Sequence, residues 1–175
     1  MSPLRKGLLL AAAQLLLVAS LGGKFAWDRA HLPRVWVRTA AYDPELPIRG
    51  RYLSLRLRVQ ADRVYGNTHL PDGNQGRFWE QMKDVYLSVE NGELVANPAP
   101  GPTGLRVTRW KIRDAEVASL QEPVAFFLPE HAADPSRRAA GEELWMEVTV
   151  PKKGPPRPIR LGVKRGEKIT PLDIQ

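Results

Sequence analysis

The clearest hydrophobic pattern in the chain is a strict alternation over residues 51–60. Aliphatic residues occupy one parity, namely Leu53, Leu55, Leu57 and Val59, and polar or aromatic residues occupy the other, namely Tyr52, Ser54, Arg56 and Arg58. A period of two indicates a β-strand with one face in the core and one face towards solvent. The preceding segment 43–50 holds two prolines and a glycine, so it predicts a turn that leads into this strand.

Short apolar segments separated by turn residues continue to the C-terminus. They lie at 34–39, 84–90, 93–97, 105–113, 123–129, 142–150, 159–163 and 169–174. Turn residues at this spacing, without alternating helices, are typical of antiparallel sheets. The fold class that follows is mainly β: one antiparallel sandwich or barrel-like domain of eight or nine short strands.

Two local features refine this prediction. Asn91-Gly92 favours a two-residue type I′ turn, because both central residues of that turn need a positive φ, and it makes residues 84–97 a hairpin. Within 105–113 the apolar residues change parity, which predicts a β-bulge near Thr108–Arg109.

The N-terminus has a different pattern. Residues 7–23 form a run of seventeen uncharged residues, which as a helix would span roughly 26 Å, slightly less than the hydrocarbon core of a bilayer. Arg5 and Lys6 precede the run, so the positive-inside rule places the N-terminus in the cytoplasm. A cleaved signal peptide is the main alternative, with Val18-Ala19-Ser20 as its small-residue site. A buried helix of a soluble protein is a third interpretation.

These patterns predict three regions. Residues 1–23 form a membrane anchor or a signal peptide, residues 24–33 a juxtamembrane linker, and residues 34–175 an exported β domain. The predicted location is the inner (cytoplasmic) membrane, crossed once, with the β domain on the periplasmic or extracytoplasmic side.

Composition excludes some classes of function and argues against others. The chain has no cysteine, which excludes disulfides, thiolate metal sites and cysteine nucleophiles. Residues 24–150 hold 17 basic and 17 acidic residues, and this balance argues against a nucleic-acid-binding face. Residues 151–175 hold seven basic and two acidic residues. This basic tail either contacts anionic lipid or a polyanion, or protects an edge strand from pairing.

Candidate reactive residues do not form a known constellation. His131 lies beside Glu130, but a metal site would need further ligands from other segments. Ser54 has no base at a spacing known from serine nucleophiles. We therefore assign no catalytic, cofactor or metal site. Arg49, Tyr52 and Arg56 form either an anion-recognising face or the solvated face of a strand.

Two stretches resemble a known family. The segment 49–57, after Asp43-Pro44, resembles the signature of the GDYXXLXY family of membrane-anchored bacterial proteins, and Phe126–Glu130 resembles a later segment of those proteins. Gly50, Tyr52 and Leu55 match the signature. Arg51 stands in place of its Asp, and Leu57 in place of its second Tyr. The resemblance implies a short membrane segment, a β-rich exported domain and a polytopic inner-membrane protein as partner.

The function expected from these observations is binding rather than catalysis: a membrane-anchored binding or accessory protein for a membrane protein. An envelope hydrolase with an unassigned site, and a binder of anionic lipid or a polyanion through the basic tail, are the alternatives. The candidate functional surface comprises Arg49, Gly50, Tyr52, Arg56, Phe127, Pro129 and Glu130.

Overall fold

The computed structural model describes residues 3–41, 52–66, 82–112, 115–130, 132, 134, 135 and 138–174. By internal contacts the chain divides into two units, Met1–Leu32 and Pro33–Gln175. The predicted turn at 43–50 and His131 lie outside the described residues.

The first unit is a single helix, α1 (Pro3–His31). Within Arg5–His31 an 18-residue stretch has a mean hydropathy of 1.8, and the apolar side chains of the helix are exposed. A helix of this length spans roughly 43 Å, enough to cross a bilayer. The expected linker continues this helix as far as His31. By length and composition, α1 is a candidate membrane span.

The described residues of the second unit form ten strands and one short helix, α2 (Asp62–Tyr65). The strands are β1 (Arg34–Ala41), β2 (Tyr52–Leu57), β3 (Lys83–Glu90), β4 (Glu93–Pro98), β5 (Arg106–Ile112), β6 (Ala115–Leu120), β7 (Val124–Phe127), β8 (Glu142–Thr149), β9 (Arg157–Arg165) and β10 (Lys168–Pro171). They form a six-stranded sheet of order β10-β9-β8-β1-β2-β7 and a four-stranded sheet of order β4-β3-β5-β6. All pairings between these strands are antiparallel, so the predicted mainly-β fold class is confirmed.

The segment that begins with β2 connects the two sheets. β2 lies between β1 and β7 in the larger sheet. The chain then continues into isolated bridges to the smaller sheet, Arg58 with Ser119 of β6 and Gln60 with Val95 of β4. Leu57, the last residue of β2, is fully buried at this crossing point. The alternating segment of the sequence therefore supplies core contacts to both sheets.

A single hydrophobic core forms from the inward faces of both sheets. Valine and leucine dominate it, as expected for half-buried strands. Among the described residues, its fully buried aliphatic side chains include Leu57, Val85, Ala96, Val107, Leu120, Met146, Val148 and Leu161.

The hairpin prediction is confirmed residue by residue. β3 and β4 pair with Val89 opposite Leu94 and Glu90 opposite Glu93. At the turn, Asn91 has a φ of 51° and Gly92 a φ of 78°. These are the positive angles that a type I′ turn requires, and Asn and Gly tolerate them best.

The predicted bulge near Thr108–Arg109 is wrong. β5 pairs with β6 in an uninterrupted register from Val107 opposite Leu120 to Ile112 opposite Ala115. Val107 and Thr108 are both fully buried, so both faces of the strand are covered at these positions. Apolar residues of either parity are therefore accommodated without a bulge. The register shift that the structure does show lies in the β8–β9 pair, between Glu147 and Val148.

The close approach of Glu90 to Glu93 is offset by an arginine of α2. The Arg63 guanidinium donates to both carboxylate oxygens of Glu90, each at 2.7 Å, and Ser88 donates to the same carboxylate at 2.9 Å. The hydrogen bond from Arg63, then that from Ser88, lowers the pKa of Glu90 below its ordinary value of 4.5. The folded state therefore favours ionised Glu90.

This pair predicts a pH-dependent contribution to stability. Because the folded-state pKa of Glu90 is lowered, the stabilisation is present above about pH 4.5 and is lost as the pH falls through the folded-state pKa. Arg63→Gln should lower the urea midpoint at pH 7, and the difference from wild type should shrink towards pH 3. Urea unfolding at pH 7, 5, 4 and 3 measures this. A difference that stays constant over that range would contradict the assignment.

Candidate functional site

The two stretches that carry the family resemblance are neighbours in the fold. β2 holds the first and β7 the second, and the strands pair with Tyr52 opposite Phe127 and Leu53 opposite Phe126. A Tyr-containing strand and an aromatic strand that are far apart in sequence thus form one end of the six-stranded sheet.

Tyr52 and Phe127 form an exposed aromatic pair on this end of the sheet. Their ring centroids are 6.1 Å apart and their planes are inclined by 57°, a tilted geometry that aromatic pairs favour. Phe127 is 78% exposed and Tyr52 is 39% exposed. Their neighbours Leu53 and Phe126 turn towards the core instead. Exposed aromatic side chains that adjoin one another are a feature of interaction surfaces.

The other predicted surface residues are distributed differently. Arg56 contacts a different aromatic ring: its guanidinium carbon lies 5.7 Å from the centre of the Trp110 ring on β5. Pro129 and Glu130 follow β7 and are exposed. Arg49 and Gly50 lie outside the described residues. Of the seven predicted residues, the structure brings Tyr52 and Phe127 into contact as a pair.

The chemistry available at this surface is that of recognition. Two aromatic rings offer apolar contact area, and the Tyr52 hydroxyl offers a hydrogen bond. Across the described part of the chain, no group of three or more His, Asp or Glu side chains is placed to hold a metal ion.

Among the described residues, Tyr65 of α2 has the largest shift in pKa. Burial raises its pKa to about 12, although the nearby charge of Arg109 acts in the opposite direction. Its hydroxyl donates to the carbonyl oxygen of Val107 at 2.9 Å, and the Arg109 guanidinium lies 4.5 Å from the ring centre. Tyr65 therefore stays neutral at physiological pH and ties α2 to β5.

Sequence reasoning did not find the ion pairs between β8 and β9. Arg160 donates to Glu147 at 2.6 Å, and Arg165 donates to Glu142 at 2.7 Å. The hydrogen bond from Arg165 lowers the pKa of Glu142. Much of the basic tail thus lies in a strand opposite the acidic residues of β8. The signal was the set of acidic residues Glu142, Glu143 and Glu147, whose partners on β9 become evident only once the strand register is known.

Comparison with known proteins agrees with these two stretches. A family model described as GDYXXLXY protein matches residues 14–161, most of the chain. The chain belongs to the GDYXXLXY family. The matched range contains both strands of the aromatic pair. No curated protein and no solved structure matches the chain.

The fold divides the GDYXXLXY signature between surface and core. Tyr52 is exposed, whereas Leu55 and Leu57 are buried. Leu57 occupies the place of the second Tyr of the signature, so in this GDYXXLXY protein that place is a core position filled by an aliphatic side chain. Arg51, in place of the signature's Asp, lies outside the described residues. Among the signature side chains that the structure describes, Tyr52 is the one accessible to a partner.

Proposed function

We propose that this GDYXXLXY protein is a membrane-anchored accessory protein whose β domain binds an integral membrane protein. The observation that carries the proposal is the exposed Tyr52–Phe127 pair, formed by the two stretches that mark the family. Tyr and Phe are enriched in protein interfaces, where buried aromatic side chains supply much of the binding energy.

The proposed location is the cytoplasmic membrane, with the β domain on its outer side. The support is a candidate membrane helix in which Arg5 and Lys6 precede the uncharged run 7–23. Anchoring confines the β domain to the membrane, and this raises its effective concentration towards a partner in the same membrane.

Two measurements test the location. In spheroplasts of the native organism, added protease should digest the β domain while a cytoplasmic marker stays intact. The intact mass of the membrane-extracted protein should include residues 1–23. A β domain that is protected in intact spheroplasts, or a mass that lacks these residues, would contradict the anchored arrangement.

The partner is tested with a photo-crosslinking amino acid placed at position 127 in cells. We expect crosslinks to an integral membrane protein, because Phe127 is largely exposed beside Tyr52. The same crosslinker at position 86 is the matched control, since Tyr86 is 48% exposed but lies on β3 of the other sheet. Crosslinks to the same protein from both positions would contradict a surface centred on the pair.

Tyr52→Ala should weaken the affinity for the crosslinked membrane protein at least tenfold. This is a loss of about 1.4 kcal/mol of binding free energy, which is moderate for an aromatic interface residue. Folding should be retained, because Tyr52 is part-exposed and its register partners on β7 keep their backbone pairing. Urea unfolding checks that the variant is folded. An unchanged affinity of the folded Tyr52→Ala protein for that partner would refute the role of Tyr52 in binding.

A further inference from the structure

A cleft of about 720 Å³ lies where the two sheets of the β domain approach each other. One side is lined from β1, β8 and β9, and the other from the β3–β4 turn and β6. Residues 58–60, which carry β2 on to the smaller sheet, line it as well. This volume lies within the range of small-molecule sites, roughly 300–1,000 Å³.

Two arginines stand side by side in this cleft. Arg38 on β1 and Arg58 at the end of β2 are neighbours across the strand pair, and the Arg58 amide donates to the Arg38 carbonyl oxygen at 3.0 Å. Glu143 on β8 pairs with Arg38 through Oε1 at 2.7 Å. Its second oxygen, Oε2, accepts a hydrogen bond from the Trp145 indole at 3.1 Å. Both oxygens of this carboxylate are therefore engaged by groups other than Arg58.

Among the cations that line the cleft, Arg58 has a side-chain hydrogen-bond donor without a described partner. Its Nε is buried and makes no hydrogen bond within the part of the chain that the structure describes. Burial lowers the pKa of Arg58, the charge of Arg38 lowers it further, and the charge of Glu143 acts in the opposite direction. Because an arginine stays protonated in proteins, this environment leaves a partly desolvated positive charge beside a like charge.

The remaining charges of the cleft do not compensate Arg58 directly. Lys164 adds a third cation, placed 4.5 Å from the centre of the Trp145 ring. Glu116 pairs with Arg109 at 3.2 Å, and Glu93, the first residue of β4, is exposed. Arg58, unlike Arg38, forms no ion pair with a described residue, so it can pair with an incoming anion.

We infer that this cleft binds a small ligand bearing an oxyanion, a carboxylate or a phosphate, with Arg58 as its main contact and Arg38 beside it. The planar guanidinium fork matches the spacing of two oxygens in either group. Trp36 and Trp145, which also line the cleft, border the ligand. This site uses none of the residues of the Tyr52–Phe127 surface, so the two proposals stand or fall separately.

The test is a titration of the detergent-solubilised full-length protein, followed by tryptophan fluorescence. The probes are inorganic phosphate and succinate, with potassium chloride at matched ionic strength as the blank. We expect a saturable change with at least one of the two oxyanions and none with chloride. Trp145→Phe should remove much of the signal, and Trp27→Phe, in α1, should leave the ligand-dependent change intact.

Arg58→Gln should weaken the affinity at least tenfold, whereas the matched control Arg106→Gln, on β5 and paired with Glu122, should bind as wild type. Where Arg58→Gln fails to fold, Arg58→Lys replaces it: this variant keeps the charge but loses the fork, and we expect at least threefold weaker binding. The inference is overturned if neither oxyanion gives a saturable change, or if the folded Arg58 variant binds as wild type. Tyr52→Ala should bind the oxyanion normally.

Discussion

Leu57→Ala should lower the free energy of unfolding of the β domain by about 3 kcal/mol, because it removes a fully buried side chain and leaves a cavity. Leu57 lies where the chain leaves the six-stranded sheet and continues to the four-stranded sheet, and it is part of the core that both sheets share. Such a position has little freedom to collapse around a smaller side chain. Against a typical total stability of about 5–15 kcal/mol, this is a large loss.

Urea unfolding of the full-length protein in detergent, followed by near-ultraviolet circular dichroism, measures this loss. Leu172→Ala is the matched control, since it removes the same atoms from a side chain that packs against the core but is only partly buried. We expect it to cost about half as much, because less apolar surface is exposed to water by the change. Equal losses in the two variants would contradict the special place of Leu57.

The features that local physics determines could be predicted from the sequence. The alternation over 51–60 gave the buried face of β2, because side chains alternate between the two faces of every strand. Asn91-Gly92 predicted which two residues form the β3–β4 turn, because few residues accept positive φ at two successive positions. In both cases the information lies within a few residues, and tertiary contacts do not override it.

The wrong prediction of a bulge in β5 has a physical cause. The change of apolar parity predicted a bulge only if one face of the strand is exposed to solvent. Thr108 and Ser119, opposite each other in the β5–β6 register, are both fully buried, so at this position the polar face of the sheet is covered as completely as the apolar one. Whether a second face is covered depends on elements distant in sequence, and the local pattern does not contain it.

The candidate sites depend on register in the same way. Resemblance to the family identified the stretches that contain Tyr52 and Phe127, but their adjacency follows from the pairing of β2 with β7. The oxyanion cleft needs two pairings at once: β1 with β2 sets Arg38 beside Arg58, and β1 with β8 brings Glu143 to Arg38. Arg58 appeared in the sequence only as one cation on the polar face of a strand.

Gly162→Ala should lower the free energy of unfolding by about 1–3 kcal/mol, through overpacking. Gly162 is in the middle of β9, opposite Trp145 on one side and Pro171 on the other. A Cβ at this position would lie 2.7 Å from Cζ3 and 2.9 Å from Cη2 of Trp36. In an ordinary strand, alanine in place of glycine is favourable, because glycine loses more backbone entropy on folding. Here the Trp36 ring would have to move, and its contact with the Arg160 guanidinium, 5.5 Å from the ring centre, would be disturbed.

A double-mutant cycle separates this steric cost from a general effect on the strand. Trp36→Leu should reduce the cost of Gly162→Ala, giving a coupling energy of about 1 kcal/mol between the two positions, because the smaller side chain leaves room for the Cβ. Gly101→Ala is the matched control: a Cβ there meets no atom within 4 Å, so its effect on the urea midpoint should be small. If Gly162→Ala were as mild as Gly101→Ala, or if its cost were unchanged in the Trp36→Leu background, the close packing of Trp36 on β9 would not limit this position.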